Sequence, residues 1–424
     1  MNIFTKRENI TFCLLILFIF SSCLNKSNKR KDHVDSVHLQ SLSPNENLYV
    51  VDLDKGEKQK FFYLSNIFKK VQLITLEDTD NSLIGYVSKL IVDKNYIFVL
   101  DKSIAKSLFV FRREDGKFIR KIGTIGQGPG EYRDISDFTV DREHDIIYIM
   151  DSKTQRISWF DIDSGKYIKS VKIKNDLIRS FHIQYLFGKM YADAYYPPKS
   201  GFEGFLLRTI NISTGEQEEC WMKANQYNKG WKEMYFGKNI FLSNEADLTS
   251  VRYNELFMDT VVALNSEKIT PYLTLKSKNL LRFEDLQKML DTGKSGSEVI
   301  SSLKTVDKIY GISDYLEFGK YIFFYYYQKN NINAVLYNKE TRETQMADGC
   351  IDDFVFKPDP ATILPNFYCA DKKGVYGIIQ PHEMNRFLKL CRDGYLSDNI
   401  SKSSIIKNLT EASNPVLFYY EYEE

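Results

Sequence analysis

The sequence predicts an all-β fold, a six-bladed β-propeller with small helical insertions. Three observations carry this: a repeat of about 49 residues, four short strand-like runs in each copy, and six such units along the chain. Two copies align closely. Runs at 90–93, 96–101, 108–111 and 115–119 match runs at 138–141, 146–151, 157–160 and 164–168. Asp93 to Asp141 is 48 residues, Asp101 to Asp151 is 50, and Gly116 to Gly165 is 49. The runs are almost continuously apolar, as strands are when neighbouring sheets cover both their faces.

Four further units follow less regularly, at 181–216, 256–275, 309–344 and 367–379. About 380 residues lie beyond residue 45, or roughly 63 per unit, so several units must carry insertions. Residues 280–303 read as one, with Phe283, Leu286, Met289 and Leu290 at helical spacing and Gly293 and Gly296 breaking it. Residues 384–391 read as a second short helix. A ring must also close, because an open blade exposes a strand edge. Residues 71–76 and 416–420 are the natural pair, building one blade from both ends of the chain.

Composition agrees with a folded protein: 43% of residues are hydrophobic and 27% charged. The 28 Tyr and 29 Phe suit strands packed face to face. Lys plus Arg is 57 against 56 Asp plus Glu, so there is no basic field and no nucleic-acid partner is expected.

The N-terminus reads as an address. Lys6 and Arg7 form a positive segment, and residues 10–20 are an apolar run too short to span a bilayer. Ser21, Ser22 and Cys23 follow and resemble the lipobox of bacterial lipoproteins. The resemblance implies a signal peptide at 1–22, lipidation of Cys23 and a lipid anchor in a membrane. Residues 23–45 are polar and read as a flexible tether, leaving 46–424 for the propeller. Lys26, Lys29, Arg30 and Lys31 make the tether basic, where surface-exported lipoproteins of Bacteroides-like bacteria tend to be acidic. The expected location is therefore the envelope of a Gram-negative bacterium, facing the periplasm. Cys220, Cys350, Cys369 and Cys391 remain in the body, and their spacing leaves disulfides and free thiols both open.

The segments Val71-Gln72-Leu73-Ile74-Thr75-Leu76-Glu77, Gly126-Gln127-Gly128-Pro129-Gly130-Glu131-Tyr132 and Asn414-Pro415-Val416-Leu417 resemble those of six-bladed β-propeller lipoproteins of Bacteroides-type bacteria. Asp151-Ser152 with Arg156-Ile157 also resembles an NHL repeat. The resemblance implies fold and export and brings no settled activity.

Candidate ligand residues come from position. Gln127, Gly128, Glu131 and Tyr132 lie in a glycine-rich connection between two blades, on the face where propellers usually bind ligands. The competing account is a blade-linking turn with Glu131 paired locally. Asp101 and Asp151 end second strands, so both should sit toward that face. Carboxylates there are expected either to hold a divalent cation such as Ca²⁺ or, for Asp151, to pair with Arg156. The aromatic pair Tyr195-Tyr196 and the prolines after it offer ring surfaces for a sugar. No His-Glu-x-x-His, Gly-x-Ser-x-Gly or Cys-x-x-Cys occurs. The expectation is a non-enzymatic binding or scaffold protein for a glycan, a peptide or an envelope protein, with no cofactor. A metal-dependent hydrolase or lactonase on the same ring is the alternative.

Overall fold

The computed structural model describes residues 39–174, 177–196, 204–231, 239–243, 250–357 and 366–423. The signal segment, Cys23 and the basic part of the tether lie outside them, as do Pro197 and Pro198.

Six antiparallel sheets form the blades, and each winds outward from a central strand. Blade 1 holds Lys89–Val92, Tyr96–Asp101, Ser107–Arg112 and Phe118–Ile122 in that order. Blade 2 holds Ile135–Asp141, Ile146–Asp151, Arg156–Asp161 and Tyr167–Lys172. Blade 3 starts at Ile183–Leu186, blade 4 at Phe241–Ser243, blade 5 at Ile309–Phe318 and blade 6 at Asn366–Asp371. The apolar runs are buried on both faces, as their continuity implies. Ile97, Phe98 and Val99 are each fully buried, with Phe98 packed toward blade 2 and its two neighbours toward blade 6.

Polar side chains repeat at the turns because a tight turn leaves backbone N–H groups unpaired. After the third strand, Asp161, Asn211, Asn265 and Asn338 each accept from amides two or three residues ahead in blades 2 to 5. The repeated glycine in this turn has a second cause. Gly116 and Gly215 have φ of +68° and +76°. A Cβ on either would stand 2.0 Å or less from a backbone oxygen of the preceding blade, Thr75 O or Lys172 O. Contact between blades therefore demands the missing side chain.

Closure follows the expected pairing. Lys70–Thr75 lies antiparallel to Val416–Glu421 over six residues as the outer strand of blade 6. Val416, Leu417, Phe418 and Tyr420 are fully buried. Asn414 ties this seam to blade 1: its amide donates to Glu77 O and Ser82 O at 2.8 and 2.9 Å and accepts from Ile84 N at 2.9 Å.

The segment before the closing strand is not a free tether throughout. Leu39–Gln40 pairs in parallel with the outer strand of blade 3, Tyr49–Asp52 with that of blade 4, and Glu57–Gln59 with that of blade 5. Phe62–Tyr63 then pairs with Cys350–Ile351. Residues 39–45, read from their polarity as tether, thus belong to the ring: Ser43 N donates to Ile269 O at 2.9 Å, and Asn45 Nδ2 to Pro271 O at 2.8 Å. Polarity misleads here because an outermost strand is held mainly by backbone bonds and needs little apolar burial.

The insertions are helical. Phe283–Leu290 and Gly296–Leu303 are separated at Gly293, which has φ of +74°, and Leu286, Val299 and Leu303 face inward. Met384–Arg392 is also a helix, followed by Asp398–Ser401 and Ser404–Asn408, all between the second and third strands of blade 6. No helix among the described residues is long and apolar enough to cross a membrane. Cys220, Cys350, Cys369 and Cys391 form no disulfide with one another.

Removing residues 415–424 is expected to unfold the ring rather than fray one end. Val416, Leu417 and Phe418 are fully buried, and each such side chain contributes about 1.5–3 kcal/mol. The sum, roughly 4–9 kcal/mol, rivals a global stability of about 5–15 kcal/mol. An unchanged melting temperature and a monomeric elution profile for the truncated chain would contradict closure by this strand.

Candidate functional site

In blades 1 to 3 the second strand ends in Asp101, Asp151 or Asp193, and each carboxylate binds the chain that leads into its own blade. Asp101 Oδ2 accepts from Gly85 N and Tyr86 N at 2.8 and 3.0 Å, and its Oδ1 accepts from Ser103 N and Ile104 N. Asp151 accepts from Arg133 N at 2.8 Å and from Lys153 N and Thr154 N. Asp193 accepts from Phe181 N and His182 N, and its second oxygen lies 2.9 Å from His182 Nδ1. These carboxylates spend their lone pairs on backbone amides, and no group of three metal-ligating side chains occurs among the described residues. Arg156 does not reach Asp151; it donates to Ser170 Oγ at 2.9 Å.

The glycine-rich connection is stapled to itself. Glu131 Oε2 accepts from Gln127 N and Gly128 N, both at 2.7 Å, and Gln127 Oε1 accepts from Arg133 Nη2 at 2.6 Å. Tyr132 is buried between blades 1 and 2, and burial pushes its hydroxyl up to about 12.

The central opening holds a basin in two compartments on the face carrying the inter-blade connections. The larger, about 450 Å³, lies over blades 1 to 4; the smaller, about 290 Å³, over blades 4 to 6 and the start of blade 1. Lys102, Ile240, Glu255 and Leu256 line both. Volumes of about 300–1,000 Å³ are typical of small-ligand sites. Phe181, Tyr195, Tyr196 and Trp231 give the larger compartment its rings.

Four buried polar atoms in its wall have no hydrogen-bond partner among the described residues: Arg179 Nε, Tyr196 Oη, Asn228 Oδ1 and Trp231 Nε1. Tyr196 and Trp231 are 6% exposed and Asn228 is 2% exposed. Leaving such an atom unpaired costs about 1–3 kcal/mol, so four around one cavity make it a place for a ligand or ordered water that satisfies them. These residues escape sequence reasoning because they are scattered from 179 to 231 and repeat with no period. Tyr196 alone stood in a segment that the sequence singles out.

Two ionisable side chains stand where the compartments meet. Burial lowers the Lys102 ammonium, and Asp137, Asp134 and Asp193 nearby oppose that shift. Burial holds the Glu255 carboxyl up to about 8, against the opposing effect of its bond with the Tyr253 hydroxyl. That hydroxyl also bonds Leu206 O at 3.1 Å. It has one proton for two acceptors, so a protonated Glu255 that donates to Tyr253 satisfies the chain.

The fold and this basin define a class: a six-bladed propeller with a ligand-sized, aromatic central basin. Within that class, the chain belongs to the family described as domain of unknown function DUF4934, which matches residues 48–421. It is similar to a crystal structure of an exported protein from Bacteroides fragilis NCTC 9343, at 16% identity and a TM-score of 0.69, covering 88% of this chain and 100% of that one. It also matches a DUF4221 family member from Bacteroides vulgatus ATCC 8482, at 10% identity and a TM-score of 0.48, covering 84% and 97%. No curated protein matches the chain.

Two outcomes are expected. Glu131→Ala removes both bonds of the loop staple and should lower stability by about 1–2 kcal/mol, discounted for exposure from the range for bonds to charged groups. Unaltered urea unfolding would show that the staple contributes nothing. For Glu255, the folded chain keeps a proton between the ordinary value of 4.5 and about 8 that the unfolded chain has released. Stability should therefore fall as pH rises through that window. Asp352, raised to about 6 by burial, acts in the same sense at lower pH, and His144, raised by its bond with Asp141, does so from 6.5 upward, so Glu255 is read from the difference between the native chain and Glu255→Gln over pH 6.5 to 8.5. Glu255→Gln should flatten the melting temperature there; parallel curves for the two proteins would refute the assignment.

Proposed function

We propose that this chain is an exported propeller, lipid-anchored at Cys23 in the envelope of a Gram-negative bacterium and facing the periplasm, that binds a glycan, a peptide or an envelope protein without catalysis. The four unpartnered buried atoms around the aromatic compartment carry the binding part of this reading. A cavity that only filled space between blades would be lined by apolar atoms or by satisfied polar ones. Export is supported by the apolar run before Ser21-Ser22-Cys23 and by the fold shared with the exported Bacteroides fragilis protein.

Both parts are testable. Cys23→Ser should move the protein from the membrane to the soluble fraction; retention through salt and carbonate washes would overturn the anchor. Fractions of envelope extract should raise the melting temperature of the native chain, since a ligand at 100 times its Kd adds about 2.7 kcal/mol. Tyr196→Phe with Trp231→Phe keeps an aromatic ring at both positions and removes two of the unpartnered groups, so the shift should shrink while the apo protein stays folded. An equal shift in both proteins would place binding elsewhere.

A further inference from the structure

The polar groups of the larger compartment are unequal in kind. Three are donors, namely Arg179 Nε–H, Tyr196 O–H and Trp231 Nε1–H, and one, Asn228 Oδ1, is an acceptor. Lys102 adds an ammonium that makes no hydrogen bond or ion pair among the described residues, although Asp134, Asp137 and Asp193 act on it through space. Arg179 uses one Nη to donate to Ser152 O and lies 5.6 Å from the Phe181 ring centre.

The carboxylates of this compartment are already hydrogen-bonded within the protein, Glu255 with the Tyr253 hydroxyl among them. Asp193 is bonded to two amides and to His182. Asp134 accepts from Ser152 Oγ at 2.9 Å. The compartment thus presents three cations, Lys102, Lys153 and Arg179, against Asp134, Asp193 and Glu255, with surplus donors beside rings and a single unfilled acceptor.

Resting on the reading of this basin as the ligand site, we infer that the larger compartment takes a small hydroxylated carboxylic acid of sugar size, a uronic acid. Its carboxylate supplies acceptors for Arg179 and Lys102, where charge-assisted bonds are the strong ones. A ring hydroxyl gives Asn228 Oδ1 its donor and accepts from Trp231 or Tyr196. The apolar face of the sugar ring stacks on the aromatic wall. A compartment of about 450 Å³ has room for one ring and part of a second. A peptide carboxylate shares the acidic group but lacks the hydroxyls, and a neutral sugar lacks the charge.

The test is calorimetric titration of the full chain with D-glucuronate, methyl glucoside and an acetylated dipeptide with a free carboxylate. Glucuronate should bind one site at least ten-fold more tightly than either of the others. Lys102→Met and Arg179→Gln should each weaken glucuronate at least ten-fold and leave methyl glucoside unchanged. Trp231→Phe should weaken both sugars several-fold, measured below its melting temperature, which the smaller ring lowers because Trp231 packs against Phe257. Equal binding of glucuronate and glucoside would overturn the acidic ligand, and tighter binding of the dipeptide would overturn the sugar. No binding of any probe also overturns the uronic acid. Stabilisation by envelope extract that disappears in the Tyr196→Phe, Trp231→Phe protein would then still leave the basin as a site.

Discussion

A sheet that is not closed on itself ends in an edge of unpaired N–H and C=O groups, and a propeller has one such edge per blade. This protein covers three of its six with its own N-terminal segment. Residues 39–59 add a fifth, parallel strand to blades 3, 4 and 5, and Lys70–Thr75 completes blade 6. Among the described residues, blades 1, 2 and 6 keep four strands and an outer edge without a fifth. All three outer strands carry cations: Phe118–Ile122 has Arg120 and Lys121, Tyr167–Lys172 has Lys169 and Lys172, and Lys70–Thr75 has Lys70. Cationic edges are a recognised defence against edge-to-edge association. The ring, and through it the basin at its centre, depends on this accounting of backbone bonds.

Much of the fold was legible in the sequence, and the reasons are local. Blades 1 and 2 have uninterrupted hydrophobic runs and the same turn residues at the same offsets, so their period is visible. The helix break at Gly293 and the pairing of the two chain ends follow from elementary patterns. The belt was not legible, because strands two to four residues long, held by backbone bonds, leave almost no side-chain signature. Asp193 is instructive in the opposite way. It is the third copy of the Asp101 and Asp151 position, and recognising the triplicate would have pointed to a structural repeat rather than to a ligand ring.

The candidate site was less legible for a related reason. Position on the correct face singled out Gln127, Glu131, Asp101 and Asp151, but polarity near that face does not say which partner a side chain takes. Three of those four are occupied by neighbouring backbone and the fourth, Gln127, by Arg133. The atoms that remain unsatisfied belong to Arg179, Tyr196, Asn228 and Trp231, in blade 3, at its entrance and in the segment leading to blade 4. Blade 3 departs from the clean period of the first two, and the basin opens where the repeat is least regular. Irregularity at a site that the scaffold otherwise supports is the pattern expected when local consistency yields to function.

The belt also defines a path for mechanical load. A pull on the chain before residue 39 first meets the two-residue pairing with blade 3, then four pairs on blade 4, then three on blade 5. Each is an added outer strand whose loss leaves a complete four-stranded blade behind. The six-residue seam between Lys70–Thr75 and Val416–Glu421 comes last in that series. Tension is therefore spent on a succession of small, separable ruptures, and the seam that keeps the ring intact is shielded until they are exhausted.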